Sequence, residues 1–362
     1  MPRPNELRTF QARKLEQWYH DPLNCLHTTV ATVLMARGAD PLQVLGRNLG
    51  FVHLPGEVTS EEFYYPATSP NGVLGDLAPF HGIHSRWWRP DSHDVIGQLY
   101  EALVQDELLV AAVDNFHLPY RPAFHDVHAA HLVVIDGLDE GRQTLSISDA
   151  QPPVWRGHVE LAPFLSAWGS ANPADEQDAF FSSSGIEYRC LRITIDDDFH
   201  PMTHDELRLT IETNLAGLSG QGQRAPDLAV TDASTDSAGA LTGIPGLAVY
   251  LDELVAAAAD GKAEALSDLY AMAWPLQAQG FMHGRLLTWA SAEWADPRLA
   301  VIGRSSHAIA SAWTNLRVLG AHLVETPQQQ NSQLRRRAQQ LRQAYETTAY
   351  LYECWISAEG AA

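Results

Sequence analysis

The chain has 362 residues with a formal net charge of −20 at pH 7, and 45% of its residues are hydrophobic. This length and composition predict a globular protein of one large domain or, more readily, of two domains. The acidic excess argues against non-specific nucleic-acid binding, because such binding needs cations that replace phosphate counterions.

The cysteine content and the first residues exclude further classes. Cys25, Cys190 and Cys354 are too few, and too far apart, for a disulfide framework or a cysteine zinc site. The first twenty residues contain no apolar signal segment, and no apolar run is long enough to span a bilayer. We therefore expect a cytoplasmic protein that does not associate with membranes.

The first predicted element is a helix within residues 21–38, DPLNCLHTTVATVLMARG. Its apolar residues recur at helical spacing, Asn24 is suited to cap the start, and Gly38 is suited to end the helix. Cys25 would lie in the first turn, where unpaired N–H groups and the helix dipole lower a thiol pKa. The pattern predicts a nucleophile, although a lone cysteine in a helix also serves to fill a core.

A helix is predicted over residues 93–105 and a buried strand over residues 108–114, which are apolar throughout except for the final aspartate. Ligand contacts are common at the end of such a strand, so Asp114 and His117 are candidate substrate contacts. Asp114 could bind an amine and Tyr120 could line the substrate groove. The alternative is a carboxylate that satisfies loop N–H groups.

The most regular β-hairpin of the chain follows within residues 131–150, HLVVIDGLDEGRQTLSISDA. A turn centred on Glu140 would place His131 directly opposite Asp149. Directly opposed residues share a face, so the Nδ1–H of the histidine could reach the carboxylate. A bulge would shift this register and separate the two side chains.

These three residues supply the parts of a cysteine nucleophile. Cys25 would attack, His131 would take its proton, and Asp149 would orient the histidine. They occur along the chain in the order found in papain-like enzymes. The sequence therefore predicts a Cys-His-Asp catalytic triad.

The second half of the chain changes in character. A strand over residues 186–196 places Cys190 in the core, and residues 215–242 are rich in small and polar residues, as in a linker or mobile loop. An α-helical domain is predicted over residues 243–362. Its amphipathic stretches cover residues 246–258, 262–279, 281–294, 304–324 and 331–356.

The sequence resembles the butirosin biosynthesis protein H family, whose members are cysteine-dependent acyltransferases with a papain-like N-terminal domain. The stretches that carry the resemblance are NCLHTTVATVLMARG, LGRNLGF, VDNFHLPY, HAAHLVVIDGLD and SISDA. The resemblance implies an α+β protein, with a papain-like (cysteine-protease-like) catalytic domain over residues 1–214 that precedes the helical domain.

The resemblance also implies an activity in secondary metabolism, specifically antibiotic biosynthesis. Cys25 would receive an acyl group from an acyl or peptidyl carrier protein and pass it to a small-molecule amine. His131 would act as the base and Asp149 as its orienter. No cofactor or metal is expected, because the phosphopantetheinyl group that presents the substrate belongs to the carrier protein.

The sequence departs from papain-like enzymes at the position six residues before the cysteine. A glutamine often stands there to build the oxyanion hole, whereas this chain has Tyr19, followed by His20. The backbone N–H of Cys25 can supply one donor. Tyr19, His20 and Asn24 are the candidates for the second.

Other motifs in the sequence do not predict a functional site. His117, His125, His128 and His131 lie close together, but a spacing of three in extended chain does not place metal ligands on one face. The string GQGQRA at residues 220–225 does not follow a strand, so it does not predict a dinucleotide site. We find no phosphate-binding loop and no serine nucleophile elbow.

Two questions stay open at this point. The cationic stretch at Arg335, Arg336, Arg337 and Arg342 could be a solvated helix face or could dock an acidic carrier protein. The same triad could serve a cysteine peptidase, thioesterase or intramolecular cyclase, or a binding module that no longer turns over. The helical domain could be a lid, a docking surface or a homodimer interface.

Overall fold

The computed structural model describes residues 7–53, 69, 71–178, 180–183, 185–196, 198–220, 240–325 and 331–360. The chain divides into two compact units. The described residues of the first unit lie within 7–39 and 83–196. Those of the second lie within 40–53, 69–82 and 198–360.

The described strands are β1 (Thr9–Phe10), β2 (Val52–His53), β3 (Ile83–Trp88), β4 (Leu109–Asp114), β5 (Ala130–Asp139), β6 (Thr144–Asp149), β7 (Trp155–Glu160), β8 (Cys190–Ile195) and β9 (Leu241–Thr242). The described helices are α1 (Cys25–Ala36), α2 (Pro41–Leu45), α3 (Val73–Leu77), α4 (Val95–Val104), α5 (Leu161–Trp168), α6 (His204–Leu218), α7 (Gly243–Ala259), α8 (Ala263–Glu293), α9 (Pro297–Glu325) and α10 (Asn331–Glu359).

The first unit contains an antiparallel seven-stranded sheet. Six strands follow the order β3-β8-β4-β5-β6-β7, and the short β1 pairs with the end of β5, where Thr9 lies opposite Asp139. All six residues of β4 are buried, as the apolar run predicted. Helices α1 and α4 pack against β5, and α5 packs against β4. The expected α+β class is confirmed.

Of two predicted elements of this unit, α1 begins where the local sequence indicates and β8 begins later than expected. The Asn24 side chain caps α1, and Gly38 follows the helix with a φ of +79°, a conformation that glycine adopts without strain. The predicted strand at residues 186–196 is shorter than expected. Glu187 and Tyr188 have positive φ angles, so β8 begins only at Cys190, which is fully buried.

The second unit is mainly helical, with one small sheet in which β2 pairs with β9. The units are not separated at residue 214, as the sequence analysis expected. Helix α6 and residues 40–53 and 69–82 belong to the second unit. Two predicted helices, at residues 262–279 and 281–294, are one continuous helix, α8, which contains Pro275. Most of the predicted linker, residues 221–239, lies outside the described residues.

The core of the second unit is built from long apolar and aromatic side chains on these helices. Trp313 of α9 is fully buried, stacks on Phe51 with ring centroids 6.3 Å apart, and donates a 3.0 Å hydrogen bond to the Tyr345 hydroxyl. In the described part of the chain, no helix combines the length and hydropathy needed to cross a membrane.

Candidate active site

Cys25 is the first residue of α1. The Asn24 side chain accepts a 3.0 Å hydrogen bond from the His27 N–H and so fixes the start of the helix. Cys25 keeps a partly exposed surface, but its thiol is enclosed by protein and accepts hydrogen bonds from the backbone N–H groups of Leu132 and Leu26. The thiol therefore lies beside the first residues of β5.

His131 and Asp149, which the sequence predicted to pair, are in direct contact. Nε2 of His131 lies 3.0 Å from each carboxylate oxygen of Asp149, and both side chains are buried. The expectation that Nδ1 would make this contact is wrong. Because the ionised carboxylate can only accept, Nε2 carries the proton, and Nδ1 is the nitrogen that can take a proton from a nucleophile.

The register of the hairpin differs from the expected one. Val134 pairs with Ser148 rather than with Ser146, and a bulge interrupts the ladder between Ile135 and Gly137. Continued by one residue, the observed register places Asp149 opposite the residue two positions after His131. A shift of two residues keeps both side chains on one face, and diagonal neighbours remain within reach of long side chains. The contact therefore forms without direct opposition.

The Asp149 carboxylate is fully buried and accepts from several further donors. Oδ2 lies 3.1 Å from the Tyr120 hydroxyl and 3.4 Å from Nη1 of Arg121. Oδ1 accepts a 3.1 Å hydrogen bond from the Gln151 N–H. Sequence reasoning missed Arg121 and Gln151, although Arg121 directly follows Tyr120 in the segment that was singled out.

These donors keep Asp149 ionised. Burial alone would raise the pKa of the Asp149 carboxyl, but the contacts with His131 and Arg121, together with the Gln151 N–H, outweigh it and lower the pKa. The carboxylate is therefore negative at neutral pH and can orient His131 and stabilise its protonated form.

The pKa of the Cys25 thiol differs from the sequence expectation. Burial raises its pKa to about 11, and the charge of Asp149 acts in the same direction. The hydrogen bonds from Leu132 and Leu26 and the charge of Arg121 lower the pKa but do not compensate. The predicted lowering by the helix start is therefore wrong in direction. The thiol is protonated at neutral pH, so a base must remove its proton when it attacks.

We expect alkylation of Cys25 by iodoacetamide to be slow at pH 6 and to rise about tenfold per pH unit towards pH 11, because the thiolate is the nucleophile. Peptide mapping of the labelled protein at several pH values measures this rate separately from that of the exposed Cys354. A rate at Cys25 that is already maximal at pH 6 would contradict the burial of a neutral thiol.

The oxyanion candidates occupy three different environments. Asn24 is nearly buried, and its Oδ1 also lies 2.9 Å from Nδ1 of His27, in keeping with its role as a helix cap. The Tyr19 hydroxyl is hydrogen-bonded to Asp21, and the His20 ring packs edge-on against a tryptophan. The assignment of the second oxyanion donor to Tyr19, His20 or Asn24 stays a prediction.

The Asp114 carboxylate is buried and engaged by other residues of the protein. It accepts hydrogen bonds from the backbone N–H groups of Phe116 and Ala129, at 3.0 and 3.3 Å. Nδ1 of His128 and Oγ of Ser170 each lie 2.7 Å from Oδ2. The carboxylate thus holds a loop, as in the alternative considered from the sequence, and the expectation that it binds an amine is corrected.

The other two substrate candidates differ from each other. The Tyr120 ring stacks on Trp155 with centroids 5.0 Å apart and directs its hydroxyl to Asp149, and its place in a substrate groove stays a prediction. His117 is partly exposed beside the Phe116 ring, and burial is the main cause that lowers its pKa. A substrate contact at His117 stays a prediction.

The histidine cluster does not converge on one point. His128 pairs with Asp114, whereas His131 pairs with Asp149. Within the described ranges, no group of three or more histidine, cysteine, aspartate or glutamate side chains is arranged to hold a metal ion.

The arrangement is a cysteine at a helix start beside a buried histidine–carboxylate pair. Residues 24–150 match the family model described as butirosin biosynthesis protein H, N-terminal. That span begins at the cap of α1 and ends one residue after Asp149, so it contains Cys25, His131 and Asp149. The match over residues 24–150 agrees with the sequence resemblance to this family. No curated protein matches the chain significantly.

Proposed function

We propose that the protein is a cysteine-dependent acyltransferase that moves an acyl group from a carrier-protein thioester, through an acyl-Cys25 intermediate, to an amine. The observation that carries the proposal is the 3.0 Å contact between His131 Nε2 and Asp149, formed next to the residue whose N–H binds the Cys25 thiol. The match of residues 24–150 to the butirosin biosynthesis protein H family model supports a role in antibiotic or other secondary-metabolite biosynthesis.

The first half of the reaction loads the enzyme. As the Cys25 sulfur attacks the thioester carbonyl, its proton passes to Nδ1 of His131, and Asp149 stabilises the imidazolium that forms. A C–S bond to Cys25 forms and the C–S bond to the carrier breaks. The carrier sulfur leaves as a thiol after taking the proton from His131.

The second half transfers the acyl group. The amine nitrogen attacks the acyl-Cys25 carbonyl and gives its proton to His131, which returns it to the departing sulfur. Exchange between two thioesters is nearly balanced in free energy, whereas amide formation is downhill, so the amine step drives the cycle. The cysteine and histidine end in the protonation states in which they began.

The placement of Cys25 on a helix start and of His131 and Asp149 on antiparallel strands supports a papain-like first unit. The partners we propose are an acyl or peptidyl carrier protein and a small-molecule amine. Nucleic acid, membrane and bound cofactor have no part in the proposed reaction, and a homodimer is compatible with it. The cationic face of α10 is compatible with docking of an acidic carrier.

The proposal is tested by intact-protein mass spectrometry after incubation with an acyl N-acetylcysteamine thioester. We expect one acyl adduct on the wild type and on Cys354→Ala, the matched control on an exposed cysteine. Cys25→Ala should carry no adduct. An adduct that persists in Cys25→Ala, or none on the wild type across pH 7 to 9, would exclude an acyl-Cys25 intermediate.

The same experiment separates transfer from the alternative reactions. Loss of the adduct on addition of a primary amine, with formation of the amide, supports an acyltransferase. Equally rapid loss in buffer without amine identifies a thioesterase, because water then replaces the amine. No adduct together with a Cys25 that resists alkylation even at pH 11 identifies a binding module.

A further inference from the structure

The loop of residues 115–129 joins β4 to β5 and is held at both ends by one carboxylate. Asp114 accepts from the Phe116 N–H at the start of the loop and from the Ala129 N–H at its end. His128 adds a side-chain contact of 2.7 Å to the same carboxylate. Both ends of the 115–129 loop are therefore fixed to the end of β4.

The middle of this loop reaches the candidate active site. Arg121 is largely buried, with 12% of its side chain exposed, and its Nη1 lies 3.4 Å from Oδ2 of Asp149. The same nitrogen lies 3.3 Å from the backbone carbonyl oxygens of Gln151 and Pro152. One guanidinium thus contacts both the carboxylate and the turn that follows it.

That turn also contacts the segment that leads into the nucleophile. The Gln151 side chain donates a 3.1 Å hydrogen bond to the carbonyl oxygen of Leu23, two residues before Cys25. A continuous set of hydrogen bonds therefore connects Arg121, through the turn at Gln151, to the start of α1. Displacement of the turn would move both Asp149 and the cysteine.

We propose that Arg121 is a positioning residue of this site: it fixes the Asp149 carboxylate and the following turn, and its charge offsets that of Asp149 at the Cys25 thiol. The inference deepens the proposed function and rests on it for its catalytic meaning. Arg121 acts through Asp149 and the turn, so we do not place it in contact with the substrate.

The charges that act on Cys25 support this assignment. Asp149 raises the pKa of the thiol and Arg121 lowers it, so the two partners of one ion pair act on the nucleophile in opposite directions. His131 and Tyr120, which both contact Asp149, are the further titratable groups that the structure places at this carboxylate. Without Arg121, the buried carboxylate would act on the thiol with its negative charge uncompensated.

The test is the pH profile of Cys25 alkylation by iodoacetamide in a Cys354→Ser background. We expect Arg121→Met to reduce the rate at pH 9 about tenfold, which corresponds to one unit in the thiol pKa. Arg121→Lys, which keeps the charge, should stay within about threefold of the wild type. Arg142→Met, on the hairpin turn with a side chain 81% exposed, is the matched control and should leave the profile unchanged.

A second pair of variants guards against loss of folding. If Arg121→Met does not fold, Arg121→Gln replaces it and should shift the profile in the same direction, while Arg121→Lys should not. In Arg121→Met/Asp149→Asn the two charge effects oppose each other, so the profile should return towards that of the wild type. A folded Arg121→Met or Arg121→Gln with an unchanged profile would overturn the assignment.

The alkylation assay uses no acyl donor, so its outcome does not depend on acyl transfer. A shifted profile combined with no acyl adduct would retain the positioning role of Arg121 and reject the acyltransferase. An unshifted profile combined with a normal acyl adduct would reject the positioning role of Arg121 and retain the acyltransferase.

Discussion

Asp149→Asn is expected to change two reactions of Cys25 in opposite directions. Acyl transfer should fall by about 10³-fold or more, because an amide can offer His131 a donor and so favour the wrong tautomer. Alkylation by iodoacetamide at pH 8 should instead rise about threefold, because the charge of Asp149 raises the pKa of the thiol. Both rates are measured on the same preparation.

A matched control is available on the same hairpin. Asp139 lies at the opposite end of β5, where it pairs with Thr144, so Asp139→Asn makes the same chemical change far from His131. It should alter neither rate. If Asp149→Asn lowered alkylation and acyl transfer together, the carboxylate would act through the fold of the site rather than through orientation of the histidine.

The features that local sequence determines were predictable. Asn24 can cap a helix whatever surrounds it, and Gly38 can end one, so the position of Cys25 in the first turn followed from its neighbours in the chain. The wholly apolar run before Asp114 predicted a central strand for a similar reason. These signals act within a few residues, and the structure has the corresponding elements α1 and β4.

The pairing of His131 with Asp149 was predicted, but not through the observed register. The turn occupies four residues after Asp139 rather than centring on Glu140, and a bulge adds a residue at Asp136. Neither feature has a distinct sequence signal here. The predicted contact is present because the register was wrong by two residues, and an even shift keeps both side chains on the same face of the sheet.

Long-range contacts account for most of what the sequence did not indicate. Arg121 reaches Asp149 across 28 residues, and no periodicity signals such a contact. The pKa of Cys25 depends on how completely the thiol is enclosed, which is a property of the packed unit rather than of the helix start. The sequence analysis ended one helix before Gly280 and began another after it, whereas α8 continues through Gly280.

His283 of α8 is expected to make the protein less stable in mild acid. It is fully buried, and its Nδ1 lies 2.7 Å from the carbonyl oxygen of Gly46, which can only accept, so Nδ1 carries the proton of the neutral ring. Nε2 must then accept from the Tyr352 hydroxyl. Protonation of Nε2 would break that hydrogen bond and leave a charge in the core.

The direction of the pH dependence follows from the pKa. Burial lowers the pKa of His283 to about 4, below the ordinary value of 6.5 that the unfolded chain has. Above pH 6.5 both states are neutral at this residue. Between pH 6.5 and 4 the unfolded chain binds a proton that the folded chain does not, so the free energy of unfolding falls, by about 3 kcal/mol in total.

Urea unfolding at pH 7 and at pH 4.5 measures this effect as a difference between variants. His283→Gln should be less stable than the wild type at pH 7, because it disturbs the Gly46 and Tyr352 hydrogen bonds, yet should lose less stability on acidification. The exposed His93 supplies the control, and His93→Gln should lose as much as the wild type. Because all other ionisable groups are shared, equal losses in His283→Gln and the wild type would mean that His283 is not held neutral in the folded protein.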